Sequence, residues 1–268
     1  MEYLRDWPVD HAGAAVLGSS IAFEGDIDRV FELASVTKPV VAYAALIAVE
    51  EGVFDLETPL GPPGATVRDL LAHSSGVGFA SATPERGVRE RRIYSSAGFE
   101  ILAAAIAQET EMPFEQYLEE AVLQPLGMAS TKLVGSAGHG AWSSVRDMAA
   151  FAAEVLSPTL LDVATVELAL TPTFPELVGV VPGYGMQKPC PWGLGFEIKG
   201  SKSPHWTGQS MPPDTAGHFG QAGTFLWVHR PTGRAVVALT DRAFGDWAKP
   251  LWSDTNDQIW ANLQAELE

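Results

Sequence analysis

Apolar and polar residues follow different patterns in the two parts of this chain. As far as about residue 182, most apolar positions recur at the three- and four-residue spacing of an amphipathic helix. Beyond that point, apolar residues alternate with polar ones, and glycine, threonine and β-branched residues become frequent, as in antiparallel strands. The beginning of the chain is an exception, because residues 14–17 and 20–23 predict two short strands around Gly18 and Ser19.

The helical part of the pattern carries several start and stop signals. Residues 40–49 are apolar without interruption and predict a buried helix that Gly52 ends. Thr66 and Asp69 have the spacing of a capping box, and Ser144 precedes a helix that is predicted to reach residue 156. The remaining predicted helices lie at residues 97–108, 113–122, 160–170 and 254–267.

The strand-like part predicts an antiparallel meander. Its strands are expected at residues 193–198, 216–220, 224–229 and 235–240, with a hairpin turn at residues 231–234. This order predicts one α+β module, in which an antiparallel sheet is flanked by helices and the chain carries an inserted all-helical region. The sheet subdomain is expected at residues 1–52 and 182–268, and the helical region is expected at residues 53–181, with the proline-rich stretch from residue 171 as the linker back to the sheet.

Composition and charge narrow the possible functions. The chain has 268 residues, of which 46% are hydrophobic and 19% are charged, as expected for a globular protein. Its net charge of −16 repels nucleic acid and anionic membranes, so we expect neither as a partner. No apolar run reaches the length of a membrane span. Nothing in the sequence indicates the oligomeric state.

The residues also bear on compartment, metals and cofactors. Cys190 is the only cysteine, so no intrachain disulfide forms, and the chain starts without a positively charged leader. We therefore expect a cytoplasmic protein. The six histidines lack metal-ligand spacing, so no metal and no cofactor is predicted. Cys190 lies between two prolines, and Ser210 lies in an incomplete nucleophile-elbow motif, so neither is predicted as the nucleophile.

The strongest candidate chemistry is the S-x-x-K pattern of Ser35 and Lys38, just before the apolar run at residues 40–49. In a helix, residues three apart share a face, so the Lys38 amine can reach the Ser35 hydroxyl. A buried lysine is disfavoured in its charged form and can then remove the proton from a serine nucleophile. Backbone N–H groups of the first helical turn would also face a developing oxyanion.

Further segments follow this pattern in a consistent order. They are residues 70–76 (LLAHSSG), 93–98 (IYSSAG), 125–128 (PLGM) and 217–224 (GHFGQAGT). Together with the S-x-x-K pattern, they resemble the serine β-lactamase and penicillin-binding-protein-like superfamily, in particular its class C and family VIII esterase-like branch. The resemblance extends from about residue 31 to about residue 241 and implies a β-lactamase/transpeptidase-like fold.

The resemblance also implies roles for individual residues. Tyr94 corresponds to the tyrosine of a Y-x-N motif and would share the base function with Lys38. Ser96 stands in place of the motif's asparagine, and a serine offers one hydrogen-bonding group where the amide offers two. We expect Ser96 to contact substrate, although less effectively than an asparagine.

The segment at residues 217–224 corresponds to the K-T-G strand of the superfamily. His218 takes the place of the lysine and is expected to supply a hydrogen-bond donor and a partial positive charge. Gly220 would let a substrate approach the backbone closely. The backbone N–H of Gln221 would be the second oxyanion donor, opposite the Ser35 N–H.

These roles imply a metal-free serine hydrolase that forms an acyl-enzyme with a small-molecule ester or amide. Carboxylesterase activity is the leading expectation, and weaker β-lactamase activity follows it. The alternative is a catalytically inactive β-lactamase fold that serves as a binding or interaction module. Intact Ser35 and Lys38 favour the enzyme, because burying a lysine beside a serine without a function is costly.

Overall fold

The computed structural model describes residues 2–265, which fold around one six-stranded sheet. The strands are β1 (Ala12–Leu17), β2 (Ile21–Gly25), β3 (Phe31–Glu32), β4 (Lys132–Leu133), β5 (Ala141–Ser143), β6 (Gly179–Val181), β7 (Gly185–Gln187), β8 (Glu197–Ile198), β9 (Ala216–Gly220), β10 (Thr224–His229) and β11 (Arg234–Thr240). The helices are α1 (Thr37–Glu50), α2 (Val67–Leu71), α3 (Ala97–Thr110), α4 (Phe114–Leu118), α5 (Val145–Leu156), α6 (Val163–Ala169) and α7 (Ala248–Ala265).

The large sheet joins the two ends of the chain. Its strand order is β2-β1-β11-β10-β9-β8, and every neighbouring pair is antiparallel. Ala12 of β1 lies opposite Thr240 of β11, so strands from the two ends of the chain are neighbours in the sheet. Two smaller sheets, β3-β5-β4 and β6-β7, lie outside it. The predicted antiparallel α+β architecture is confirmed.

Side chains on the two faces of the large sheet enter separate cores. Along β11, Val237 and Leu239 point into the core that contains α1 and α5, whereas Val236 and Ala238 point into a second core. The second core is rich in aromatic residues and packs α7 against the sheet. This alternation follows from the two-residue period of a strand whose two faces are both buried.

The predicted strand at residues 193–198 is wrong except for β8. Gly195 has φ +84°, and a Cβ on it would lie 2.1 Å from the Cβ of Ala42 in α1. The N–H groups of Leu194 and Gly195 donate to Ala169 O and Leu71 O, at 2.9 Å each, instead of to a neighbouring strand. Close packing against α1 therefore breaks the pattern that the local sequence suggested.

Most helix signals behave as predicted. Thr66 and Asp69 form a complete capping box, the Ser144 side chain caps α5, and Gly52 follows the end of α1 with φ +78°. The helix at residues 160–170 is shorter than predicted, since the Asp162 side chain accepts the Ala164 N–H and caps α6 there.

Other boundaries differ from the prediction. The last helix starts at Ala248, earlier than predicted. Its predicted end at Leu267 lies outside the described residues. The β6-β7 hairpin, which was not predicted, begins in the proline-rich linker and ends beyond it. Within residues 2–265, none of the helices combines the length and apolar character that crossing a bilayer needs. The division into a sheet subdomain and a helical region stays a prediction; α5, from the middle of the chain, packs on the large sheet.

Candidate active site

Ser35 lies in a tight turn between β3 and α1. The prediction placed it in the first turn of the helix, but it occupies the 3₁₀ turn Ala34–Val36 that leads into α1. Ala34 has φ +47°, a strained value for a residue with a Cβ. The turn is held from both sides, because Leu33 N–H donates to Ala141 O at 2.9 Å and Leu33 O accepts from Thr224 Oγ1 at 2.8 Å.

The Lys38 side chain is fully buried at the start of α1. Its Nζ lies 3.4 Å from Ser35 Oγ, 3.1 Å from Ser96 Oγ and 2.8 Å from Gly138 O. Burial lowers the pKa of Lys38 to about 7, while the negative charge of Glu100 acts in the opposite direction. The amine is therefore about half neutral at neutral pH.

The three contacts of the Lys38 amine fit its charged form, in which each oxygen accepts a hydrogen, and they also fit its neutral form. A neutral amine has two hydrogens and one lone pair. Gly138 O can only accept, and Ser96 Oγ can take the second hydrogen. The lone pair is then left for the hydroxyl hydrogen of Ser35. The arrangement predicted from the S-x-x-K spacing thus places an acceptor for the serine proton within reach.

Tyr94 stands beside both groups. Its ring centroid lies 4.6 Å from Lys38 Nζ, and its hydroxyl oxygen lies 3.5 Å from His218 Nε2. Burial raises the pKa of Tyr94 well above its ordinary value; contact with Ser35 lowers it and the charge of Glu197 raises it further. The phenol is consequently neutral at physiological pH, which leaves Lys38 as the stronger resting base.

His218 differs from its expected role as a cationic donor. Its Nδ1 lies 2.7 Å from Phe219 O, which can only accept, so Nδ1 carries the hydrogen and Nε2 faces Tyr94 as an acceptor. Burial lowers the pKa of His218 to about 3, and the Lys38 charge acts in the same direction. The histidine is therefore neutral at physiological pH, because burial outweighs the opposing effects of the Phe219 carbonyl and the Glu197 charge.

The backbone N–H groups of Ser35 and Gln221 belong to residues that line one cavity. Neither N–H donates to an acceptor within residues 2–265. An oxyanion site requires two such donors directed at one point, and this role of the Ser35 and Gln221 N–H groups stays a prediction. The side chain of Gln221 points elsewhere, since its Nε2 donates to Phe244 O at 3.2 Å.

Gly220 is explained by packing behind the Ser35 turn. A Cβ at this position would lie 2.4 Å from Leu33 O and 3.2 Å from the Cβ of Ala34. The glycine therefore lets the end of β9 contact the strained turn directly. The close approach that the sequence assigned to substrate is made by the protein's own backbone, and a substrate contact at Gly220 stays a prediction.

Ser96 also faces inward. Its hydroxyl contacts Lys38, and a Cβ added at Gly138 would lie 2.7 Å from the Ser96 Cβ. The absence of a Cβ at Gly138 thus lets its backbone pack against Ser96, and the Gly138 carbonyl makes the shortest contact to the Lys38 amine. A direct substrate contact of Ser96 stays a prediction.

The cavity above Ser35 has a volume of about 150 Å³ and mainly apolar walls. Of the predicted site residues, Ser35, Tyr94, His218 and Gln221 line it. Phe79, Trp192 and Glu197 line it as well, and sequence reasoning missed all three. The Phe79 ring is 54% exposed and stacks on the Tyr94 ring at a centroid distance of 5.9 Å. No local signal marks these residues, because the chain brings them to the cavity from separate loops and from β8.

Glu197 forms a buried charged cluster at the cavity wall. Its carboxylate lies 3.0 Å from Lys202 Nζ and 2.8 Å from His205 Nε2, and it accepts from Trp206 Nε1 at 2.8 Å. Burial alone would raise the pKa of Glu197, but Lys202 and His205 hold it well below its usual range. The cluster fixes the start of the loop after β8.

Residues that were set aside as nucleophiles or ligands occupy structural positions. Cys190 is buried, and burial raises the pKa of its thiol. The Ser210 hydroxyl donates to Asp257 in an exposed turn. His73 Nδ1 accepts the Ser95 N–H at 3.1 Å, and the His73 ring packs on Tyr94. Across residues 2–265, no group of three or more histidine, cysteine or acidic residues is arranged to hold a metal ion.

Comparison with known families identifies the family of this chain. The family model described as Beta-lactamase matches residues 24–255, which is most of the chain. The chain belongs to the beta-lactamase family. The resemblance inferred from the motifs is therefore confirmed, and so is the β-lactamase/transpeptidase-like fold.

Solved structures and curated relatives show different degrees of similarity to this chain. A solved beta-lactamase from Mycobacterium bovis is 51% identical, covers 98% of both chains and has a TM-score of 0.96. A penicillin-binding protein homologue from Pyrococcus abyssi is 17% identical, covers 97% of this chain and 75% of its own, and has a TM-score of 0.78, which is a likeness of fold. Esterase EstB from Burkholderia gladioli is 27% identical over 155 residues; the match spans 41% of this chain and 40% of the esterase.

Proposed function

We propose that this member of the beta-lactamase family is a serine hydrolase that cleaves small esters through an acyl-enzyme on Ser35. The observation that carries the proposal is the buried Lys38 amine, which lies 3.4 Å from Ser35 Oγ and has a pKa near 7. A base whose pKa lies near the working pH is most effective at taking a serine proton.

In the proposed acylation step, Ser35 Oγ attacks the ester carbonyl carbon while its proton passes to Lys38 Nζ. The carbonyl oxygen becomes an oxyanion, which accepts hydrogen bonds from the Ser35 and Gln221 N–H groups. When the tetrahedral intermediate collapses, the bond to the leaving alkoxide breaks. The neutral phenol of Tyr94 gives its proton to that oxygen and recovers one from Lys38, so the proton balance closes.

In the proposed deacylation step, water attacks the acyl carbon and the same groups act in reverse. The neutral Lys38 amine takes a proton from the water, either directly or through Tyr94, which passes its own proton to Lys38 as it accepts the one from water. A proton finally returns to Ser35 Oγ as the acid leaves. His218 supports Tyr94 in this cycle as an acceptor for its hydroxyl hydrogen, 3.5 Å away. Its role is thus to hold the phenol in place, which a neutral histidine can do.

Esters lead over amides in this proposal because the cavity is small and mainly apolar. Its volume is about 150 Å³, and neither His218 nor Ser96 presents a charged or amide group to a substrate. The name of the EstB relative supports an ester, whereas the 51% identical structure carries the name beta-lactamase. We rank β-lactam hydrolysis second.

The decisive experiment compares Ser35→Ala with the parent on short p-nitrophenyl esters and on a chromogenic cephalosporin. We expect ester turnover by the parent, slower cephalosporin turnover, and loss of both in Ser35→Ala. Ser210→Ala is the matched control, because Ser210 bonds to Asp257 in an exposed turn and does not line the cavity. Equal ester hydrolysis by Ser35→Ala and the parent contradicts the proposal.

The second candidate is an inactive binding module. The observation that favours it is the replacement of the family's asparagine by Ser96, whose hydroxyl is occupied by Lys38. If the folded parent hydrolyses neither substrate class and a fluorophosphonate leaves Ser35 unlabelled from about pH 7 to 9, where Lys38 is neutral, this second candidate is correct.

A further inference from the structure

A second cavity adjoins the one above Ser35. Its volume is about 370 Å³, and it shares Phe79, Tyr94 and Pro182 with the inner cavity. Phe79 and Tyr94 therefore form a common aromatic wall, along which a substrate in the inner cavity would extend into the outer one. Unlike the inner cavity, the outer one is lined by cationic side chains, among them Arg86 and Arg91.

Arg91 has no anionic partner in the protein. It forms no ion pair within residues 2–265, its Nε is buried without a hydrogen bond, and its Nη2 has only Met186 Sδ at 3.7 Å. A buried guanidinium nitrogen without an acceptor is costly, and such sites usually bind something that supplies one.

The neighbouring arginines have their partners. Arg89 forms an ion pair with the buried Asp69 at 2.9 Å, and Arg92 donates to the carbonyls of Ala72, Thr173, Phe174 and Cys190. Arg86 donates to Glu85 O at 3.0 Å, and its Nε lies 3.8 Å from Glu90. Among Arg86, Arg89, Arg91 and Arg92, Arg91 is the one with neither an ion pair nor a hydrogen bond to an oxygen atom within residues 2–265.

We propose that Arg91 is the binding site for a carboxylate on the substrate, in the outer cavity beside the proposed catalytic groups. This inference rests on the proposed function and specifies its substrate class as carboxylate-bearing esters. The planar guanidinium of an arginine matches a carboxylate with two parallel hydrogen bonds. Glu85 also lines this cavity, and its negative charge disfavours substrates that carry more than one anionic group.

The kinetic test uses pairs of p-nitrophenyl esters that differ only in charge. Succinate, glutarate and adipate monoesters are compared with butyrate, valerate and caproate esters, so that the distance from carbonyl to carboxylate varies. A second pair, the butyrates of 3-hydroxybenzoate and 3-hydroxybenzamide, places the charge on the leaving group. We expect at least one anionic ester to have a kcat/KM about tenfold above that of its neutral counterpart, the usual effect of a charged hydrogen bond.

Substitution at Arg91 should abolish this charge preference. In Arg91→Gln the ratio of anionic to neutral kcat/KM should fall about tenfold, and Arg91→Lys should keep part of it. The matched control is Arg29→Gln, which removes one exposed positive charge that lines neither cavity. High salt should weaken the preference of the parent. A ratio near one in the parent, or an unchanged ratio in Arg91→Gln, overturns the inference.

A binding measurement separates failure of this inference from failure of the proposed function. Calorimetric titration of Ser35→Ala with the unhydrolysed glutarate monoester needs no turnover. We expect binding that weakens about tenfold when Arg91→Gln is added. If the parent hydrolyses no ester but this charge-dependent binding is present, the proposed function is wrong and the site remains. If neutral esters are hydrolysed and no charge-dependent binding occurs, only the site is wrong.

Discussion

The burial of Lys38 sets the pH at which Ser35 should become reactive. Its pKa falls from 10.5 to about 7, so burial and its surroundings disfavour the charged amine by roughly 5 kcal/mol, at about 1.4 kcal/mol per pH unit. At pH 7 about half of the molecules hold a neutral amine, whereas an unperturbed lysine is neutral in only about one molecule in 3,000. Ester kcat/KM should therefore rise with pH through a midpoint near 7 and then level.

Glu100 offers a way to move that midpoint without changing the reacting groups. Its charge raises the pKa of Lys38, and its exposed side chain accepts a hydrogen bond from Ser136. Glu100→Gln should therefore lower the pKa of Lys38 and shift the rising limb to lower pH. We expect a shift of roughly 0.2 to 0.7 pH unit, because Glu100 is exposed to water, which screens its interaction with the buried amine to about 1 kcal/mol or less.

The assay is hydrolysis of p-nitrophenyl butyrate from about pH 5 to about pH 9, read at the isosbestic wavelength of p-nitrophenol. Glu109→Gln, an exposed substitution on the same helix, is the control, and high salt should reduce the difference between Glu100→Gln and the parent. A parent rate that is still rising without levelling at about pH 9, as expected for a lysine with the ordinary pKa of 10.5, or a shift to higher pH in Glu100→Gln, refutes the reasoning.

Other substitutions test separate parts of the structure. Tyr94→Phe keeps the ring and should lower ester kcat/KM by about 10² to 10³ with little change in Tm; full activity would remove the phenol from the mechanism. Gly220→Ala places a Cβ 2.4 and 2.5 Å from two oxygen atoms and should lower the free energy of unfolding in urea by about 1 to 3 kcal/mol. Gly245→Ala, whose nearest atom is 3.9 Å away, should change it little, and equal effects of the two would contradict this. Glu197→Gln leaves the buried Lys202 without its ionic partner and should lower the free energy of unfolding by about 3 to 5 kcal/mol. An unchanged urea midpoint would argue against an ionised pair.

The fold could be predicted where local signals and tertiary packing agree. The strands at residues 216–220 and 224–229 have the predicted bounds, since both are buried on two faces and bounded by glycine-containing turns. The region around Gly195 could not be predicted, because its backbone is shaped by contact with α1, which is distant in sequence. The β6-β7 hairpin was hidden for a similar reason, in a stretch where prolines suggested a linker.

The candidate site likewise has features that the sequence predicts and features that depend on the fold. Ser35 and Lys38 are neighbours in sequence, so their spacing alone predicted their contact. His218 was predicted from its motif, but its neutral state depends on burial and on the Phe219 carbonyl, which only the fold provides. Arg91 was one arginine among several in the sequence, and only the partners of its neighbours single it out.

Site-mapped labelling with a fluorophosphonate tests the central claim most directly, because it reports the nucleophilicity of Ser35 without requiring the natural substrate. Mass spectrometry of the labelled peptide should place the adduct on Ser35 of the folded parent. The label should be absent from denatured protein, from Ser35→Ala and from Lys38→Ala, and present in Ser210→Ala. A folded parent that stays unlabelled at about pH 7 to 9, or a Lys38→Ala variant that labels as fast as the parent, contradicts the account.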